Sequence, residues 1–310
     1  MNFRPCIDIH NGKVKQIVGG SLADEGNHAI DNYISDKGGA YYANLYKNKG
    51  LSGGHIILLN PAGSEYYEAD VAVAKDALGA YRNGLMIGGG MNDANSTAFL
   101  DAGASHVIVT SYVFKNGEIN FTNLDRMVSA VGKEHLVLDL SCRKQNDKYY
   151  IVTDRWQKFT DVTVSYDVMN MLASYCDEFL IHAVDVEGKA NGIEENLVKI
   201  IAGSQSCPVT YAGGVGSYED LRTLKELGHN KIDVTIGSAL DLFGGSLDFD
   251  EILVIFQSEG YGTSYCYRHR KVWQTWICNI KIRNGKFYLI VALEIDKIDF
   301  SLKWTLSTKC

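Results

Sequence analysis

Proline is scarce, with three residues in 310, and no Cys-x-x-Cys spacing occurs anywhere. The seven cysteines, Cys6, Cys142, Cys176, Cys207, Cys266, Cys278 and Cys310, are odd in number and scattered. Neither a zinc site nor a disulfide scaffold is suggested, and reduced thiols in a reducing compartment fit best. An excess of basic charge is also missing. Thirty Lys and Arg stand against 37 Asp and Glu, a formal charge of −7, which argues against a nucleic-acid-binding surface. No window approaches 18 consecutive apolar residues, so no membrane-spanning helix is expected. The N-terminus carries neither a basic segment followed by an apolar one nor an Arg- and Ser-rich leader, so a cytoplasmic location is expected. What is present is an ordinary globular composition, 46% hydrophobic and 22% charged with 31 glycines, and disorder is not indicated for most of the chain.

Eight short apolar runs recur: Pro5–Ile9, His55–Leu59, Leu85–Ile87, His106–Val109, Leu136–Leu140, Phe179–Val184, Pro208–Tyr211 and Asp233–Ile236. Between most of them lie stretches of helical periodicity, at Ala69–Tyr81, Asn92–Ala102, Leu124–Val131, Val168–Ser174, Ile193–Ala202 and Tyr218–Leu227. Strand and helix alternating in this way predict an α/β fold, a closed (β/α)8 TIM barrel. The chain also echoes itself by halves. "CIDIHNGKV" answers to "LVLDLSCRK", "MIGGGMND" to "TYAGGVGS", and "HVIVTSYVF" to "DVTIGSALDLF", all at nearly one spacing. Two similar half-barrels of four units each follow from that repetition. The expected boundaries are a barrel over 1–254 and an atypical tail over 255–310, extraneous or disordered. Aromatic and basic text in that tail reads as strands, with a hairpin turning at Asn284-Gly285.

In barrels of this kind the chemistry sits at the C-terminal ends of the strands. Asp8 and Asp139 emerge there from strands one and five, which face each other, so the two carboxylates would flank a ligand as general acid and general base. Each could instead cap its own loop, but their equivalence in the two halves favours a pair. Gly89, Thr110 and Ser111 end strands three and four, and Gly214, Gly237 and Ser238 end strands seven and eight. Glycine lets backbone N–H groups approach an anion, so each set reads as a phosphate cradle, and together they predict a ligand with a phosphate at each end. A single Gly-Gly could equally be a tight turn. His10, His182 and Glu187 also lie near strand ends; lacking further ligands at suitable spacing, they and Asp185 read as polar pocket lining rather than a metal site. Trp156, in "TDRWQKF", is either a lid anchor or a flat surface for a heterocycle.

These residues resemble the phosphoribosylformimino-5-aminoimidazole carboxamide ribotide isomerase family of histidine biosynthesis, in its eukaryotic-type form. The likeness rests on "FRPCIDIHNGKVKQIVGGSL", "GGHIILLNP", "GASHVIVTSYVF", "LDLSCRK", "IVTDRWQKF", "DEFLIHAVDVEG", "PVTYAGGV" and "DVTIGSALDLFGG", and covers roughly residues 2 to 253. The resemblance implies catalytic roles for Asp8 and Asp139, phosphate binding by the two glycine-hydroxyl sets, and substrate contacts from Arg143 and Trp156. It also implies a small bis-phosphorylated substrate, an Amadori rearrangement with Asp139 as acid and Asp8 as base, no cofactor and a monomer. Two departures stand out. Ala183 and Glu187 occupy places where many bacterial relatives carry Thr and Asp, and after "FDEILVIF" the text no longer resembles the family. A sister barrel, the cyclase that makes imidazole glycerol phosphate with a glutaminase, shares the repeat and both aspartates; a catalytically crippled barrel is the other alternative.

Overall fold

The computed structural model describes residues 1–17, 31–203 and 207–257, and the backbone of 275–283, 286–295 and 298–305. Two compact units divide the chain, Met1–Phe249 and Asp250–Cys310.

Eight parallel strands form the first unit: β1 Cys6–His10, β2 Gly54–Leu58, β3 Leu85–Gly88, β4 Val107–Val109, β5 Leu136–Asp139, β6 Glu178–His182, β7 Val209–Ala212 and β8 Ile232–Thr235. Each pairs with its successor, from β1–β2 through β7–β8. Closure comes from the residues just before β1. Phe3 bridges in parallel to Val234, Arg4 N–H donates to Val234 O at 2.8 Å, and Val234 N–H donates to Asn2 O at 2.9 Å. The result is the expected (β/α)8 barrel, its strands buried on both faces as parallel strands must be.

Alternation along each strand decides what the interior contains. Ile7 and Ile9 of β1 are fully buried, while Cys6 and Asp8, alternating with them, turn to the barrel's interior cavity. Met86, Ile108, Val137, Leu180 and Ala212, one from each of β3 to β7, pack with Ile57 as an apolar layer across the barrel. Below it, at the N-terminal end of the strands, Asp233 accepts from Arg4 Nε at 2.7 Å and from Asn2 N–H at 2.6 Å, and Thr210 donates to Glu178 at 2.6 Å. Both Asp233 oxygens and one Glu178 oxygen gain donors, and Arg4 lies 3.9 Å from the other Glu178 oxygen, which offsets the cost of desolvating them.

Helices α1 Gly39–Asn48, α2 Tyr67–Ala80, α3 Ser96–Ala102, α4 Phe121–Val131, α5 Tyr166–Leu172, α6 Glu195–Gly203 and α7 Tyr218–Leu227 separate the strands. Local signals start them. Asn120 accepts from Asn123 N–H ahead of α4, and Ser217 and Asp220 form a reciprocal capping box ahead of α7, each cap worth about 1 kcal/mol. Helix α3 starts four residues later than its periodicity suggests. The side chains of Asn92 and Asn95 instead accept backbone N–H groups within an extra turn, from Ala94 and Asn92. Among the described residues no helix is long and apolar enough to cross a membrane.

Two insertions rise above the strand ends. After β1 the chain folds back as a strand at Lys13–Ile17, antiparallel to β1 and to Asp31–Ile34; residues 18–22 of the quoted N-terminal text lie outside the described residues. After β5 comes a three-stranded antiparallel sheet, Cys142–Gln145, Lys148–Thr153 and Lys158–Thr163.

The second unit contains most of helix α8, Phe249–Gln257, and a three-stranded antiparallel sheet of Thr275–Arg283, Lys286–Ile295 and Ile298–Thr305. Arg283 pairs with Lys286; the expected turn at Asn284-Gly285 itself, like Cys266 and Cys310, falls outside the described residues.

Candidate active site

The strand ends enclose a cavity of about 520 Å³. Asp8, Asp139, Trp156, Gly89, Thr110, Ser111, Gly214, Gly237 and Ser238 all line it. Of the candidate site residues singled out in the sequence, Arg143, Asp185 and His10 are not brought to its wall. Arg143 Nε donates to Asp185 at 2.9 Å and its guanidinium lies 5.6 Å above the Phe159 ring. The arginine that lines the cavity is Arg155, beside Trp156. His10 is buried off the cavity, 3.4 Å from Lys15 Nζ.

Asp8 accepts from Gln16 Nε2 at 3.1 Å. Burial, and next the nearby Glu187 carboxylate, push its pKa up to about 7, against opposing effects of His182 and the Gln16 hydrogen bond. Gln16 is held there by the fold of the first insertion. Gly12 N–H donates to the buried Asp70 of α2 at 2.6 Å, and Asn11 N–H donates to Asn60 at 2.7 Å, so the turn feeding the Lys13–Ile17 strand is tied to α2 and to the end of β2. A Cβ on Gly237 would lie 2.3 Å from Gln16 Oε1; glycine there makes room for the amide that reaches Asp8.

Asp139 is wired differently. Thr110 Oγ1 donates to it at 3.0 Å, and Ser141 Oγ lies 2.8 and 2.9 Å from its two oxygens. Trp156 Nε1–H donates to Ser141 Oγ at 3.1 Å, which turns the serine proton toward the carboxylate. The indole reaches that position from a turn whose residues Asp154, Arg155 and Trp156 all have positive φ, at 50°, 56° and 67°. Each such non-glycine residue costs roughly 1–2 kcal/mol. Asp154 N–H donating to Ser111 Oγ at 3.0 Å, and the Lys158–Asp154 ion pair at 2.8 Å, help to offset it.

His182, at the end of β6, is buried between the two aspartates, with its Nδ1 3.7 Å from Asp139 Oδ1. That is ion-pair rather than hydrogen-bond separation. Burial pulls its pKa down, but Asp139, then Glu187 and Asp8, outweigh burial and raise it to about 8. His55, whose ring packs edge-on at 5.7 Å from that of His182, is lowered to about 3 by burial and by His182. Glu187 is raised by its burial.

The two glycine sets have matching geometry. Gly89 (φ +97°) and Gly214 (φ +78°) adopt conformations that favour glycine, and a Cβ on either would lie 2.1 Å from a carbonyl oxygen, of Leu58 and Gly192 respectively. A side chain at either place would fill the groove where the backbone meets the cavity. Gln16, His55, Ser141 and Arg155 were not found by sequence reasoning. Ser141 was the most accessible of them, two residues beyond Asp139 and hence on the same side of an extended strand.

Comparison with known proteins agrees with this architecture. An isomerase of a bis-phosphoribosylated imidazole-4-carboxamide from Medicago truncatula, named as chloroplastic, is 52% identical over 257 residues, covering 82% of this chain and 81% of that protein. The like-named isomerase of Neurospora crassa is 47% identical over 246 residues, 78% of this chain and 93% of its own. That of Saccharomyces cerevisiae is 42% identical over 252 residues, 79% and 94%. The model of one family, described as histidine biosynthesis protein, matches residues 3–247, and with such relatives on both sides the chain belongs to that family.

Proposed function

We propose that this enzyme, an isomerase like its relatives, converts a bis-phosphorylated aminoaldose of imidazole carboxamide ribotide to its aminoketose by an Amadori rearrangement, with Asp139 as general acid and Asp8 as general base. The observation that carries the reading is two carboxylates, from opposite strands, facing one cavity between two glycine-hydroxyl strand ends. The acid protonates the furanose oxygen, the ring opens to a Schiff base, the base takes the C2 proton, and the enolamine becomes the ketose. A carboxylate whose pKa lies near 7 is a stronger base than an ordinary aspartate while still ionising near neutrality, which suits Asp8 to the C–H abstraction. Only protons shift within one molecule, so the reaction needs no redox cofactor.

Gly89 with Thr110 and Ser111, and Gly214 with Gly237 and Ser238, hold the two phosphates in this reading, and the half-barrel repeat explains why there are two such sets. Arg155 and Trp156 face the heterocycle. Among the described residues the cavity wall reaches no further than Ala239; in this reading a monomer of the barrel, residues 1–254, carries the chemistry, and the tail over 255–310 takes no part in it. Buried free thiols at Cys6, Cys142 and Cys176 suit a reducing compartment; the cytoplasm is our assignment, and the plastid is the alternative raised by the plant relative's name. Spectrophotometric turnover of the aminoaldose by the purified full-length chain tests the reading. Product formed only with a glutaminase partner would point to the cyclase instead.

A further inference from the structure

An acid role asks Asp139 to give up a proton at ring opening and to regain one, yet the neutral hydroxyls of Thr110 and Ser141 from which it accepts hydrogen bonds are no source of one. A second proton source close to Asp139 resolves the conflict. His182 stands on the strand next to β5, with Leu180 opposite Asp139 in the register. Its Nδ1 is buried and has no hydrogen-bond partner among the described residues, although a buried ring nitrogen without one is costly. Asp139 Oδ1 lies 3.7 Å from it, so a shift of roughly 0.5–1 Å would make a hydrogen bond.

Asp8 faces the His182 ring from β1, His55 from β2, Asp139 from β5, Trp156 from the insertion after β5, with ring centroids 5.8 Å apart, and Glu187 from the loop after β6. Three are carboxylates. His55 is held neutral by burial, so it adds no competing positive charge near neutral pH. The surroundings therefore favour imidazolium at His182.

Resting on the isomerase reading above, we propose that His182 is the proton store behind Asp139, a positioning and relay residue that acts through that carboxylate. As Asp139 gives its proton to the ring oxygen, the C1–O bond breaks with its electron pair going to oxygen. The Nδ1–H bond of His182 then breaks as the Asp139 O–H bond re-forms. At ketone formation Asp8 returns to C1 the proton it took from C2, and the proton released from the C2 hydroxyl restores the Asp139–His182 pair, so protons balance over the cycle.

The test combines kinetics with a direct titration. In His182→Gln, kcat should fall roughly 10- to 100-fold with KM within about threefold, and the alkaline limb of the kcat/KM profile near pH 8 should vanish. A residue serving packing alone would leave that limb in place. Ligand-free wild-type protein labelled with 13C at the histidine rings should show one imidazole titrating near 8, absent from His182→Gln. An unchanged alkaline limb in the folded variant overturns the proposal. So does the absence of any imidazole titrating above the ordinary histidine value, which decides the matter if the variant does not fold. Failure of the isomerase reading itself would look different, as no turnover of the aminoaldose by wild-type enzyme at any pH.

Discussion

Asp8 and Asp139 stand at corresponding places in the two halves of the barrel, yet one accepts from a single amide and the other from two hydroxyls, one of them aligned by an indole. Burial and Glu187 bear on Asp8, whereas His182 lies beside Asp139. In the half-barrel reading proposed above, the repeat supplies two equivalent positions, and the polar neighbours differentiate them. Equal geometry with unequal wiring is how one scaffold can supply an acid and a base to the same ligand.

The largest test of this comparison is to neutralise each carboxylate. Asp8→Asn and Asp139→Asn should each lower kcat by roughly 10²–10⁴ while leaving substrate affinity within about tenfold, as measured by steady-state kinetics and calorimetric binding. Near-normal turnover in either variant removes that residue from the pair. Next come the cradles. Gly89→Asp and Gly214→Asp each place a carboxylate where an anion would bind and a Cβ against a carbonyl, so KM should rise at least about tenfold in each folded variant, since burying like charges together is costly. Unaltered affinity in both would break the symmetry of the two-phosphate reading.

Ser141→Ala sharpens the difference between the halves, because it leaves Asp139 with Thr110 alone and leaves the Trp156 N–H without its acceptor. One lost hydrogen bond of about 1–1.5 kcal/mol should lower kcat by roughly tenfold, with little change in KM; a kcat within twofold of wild type would mean that the Trp156–Ser141 link does not serve Asp139. The smallest effect is on stability. The folded-state pKa of Asp8, about 7, lies above its unfolded value near 3.8, so the neutral carboxyl favours the fold and its contribution is complete below about pH 3.8. It is lost as pH rises through about 7. Asp8→Asn removes that loss, and its Tm should exceed the wild-type value by a few degrees at pH 8, a gain that shrinks toward pH 4. Parallel Tm curves from pH 4 to 8 would contradict the burial assigned to Asp8.

Much of this was legible in the sequence. All eight barrel strands fall within two residues of the apolar runs that announce them, because strands covered on both faces must be continuously apolar. Helix α1 was not foreseen. Its buried face is Tyr42, Ala43 and Tyr46, and the tyrosine hydroxyls find partners inside the barrel, Tyr46 on Cys6 O at 2.9 Å and Tyr42 on Ser35 at 2.9 Å. Such a face lacks the aliphatic periodicity that marks a helix. The same limit applied to the site. Asp8 and Asp139 could be found because an aspartate is conspicuous in an apolar strand, whereas Gln16 and Arg155 are ordinary polar residues in loops. Arg143 and Arg155 both lie within the insertion after β5, one in its first strand and one in the turn between its second and third, and only the fold of that small sheet determines which reaches the cavity.

The seam that closes the barrel has a consequence for how the chain is made. Arg4 meets Asp233 across 229 residues of sequence, so the segment that opens the barrel is paired only by the strand that ends it. At synthesis rates of about 5–20 residues per second, the segment Asn2–Arg4 waits on the order of 10–50 s for that partner. Throughout the wait its edge lacks Val234, and Asp233 and Glu178 must enter a closing interior together with the arginine that neutralises them. Contacts of such long range also slow folding after release. The steps that complete the barrel floor are therefore late ones, and changes at Asn2, Arg4 or Asp233 should act on soluble yield more than on the chemistry at the opposite end of the strands.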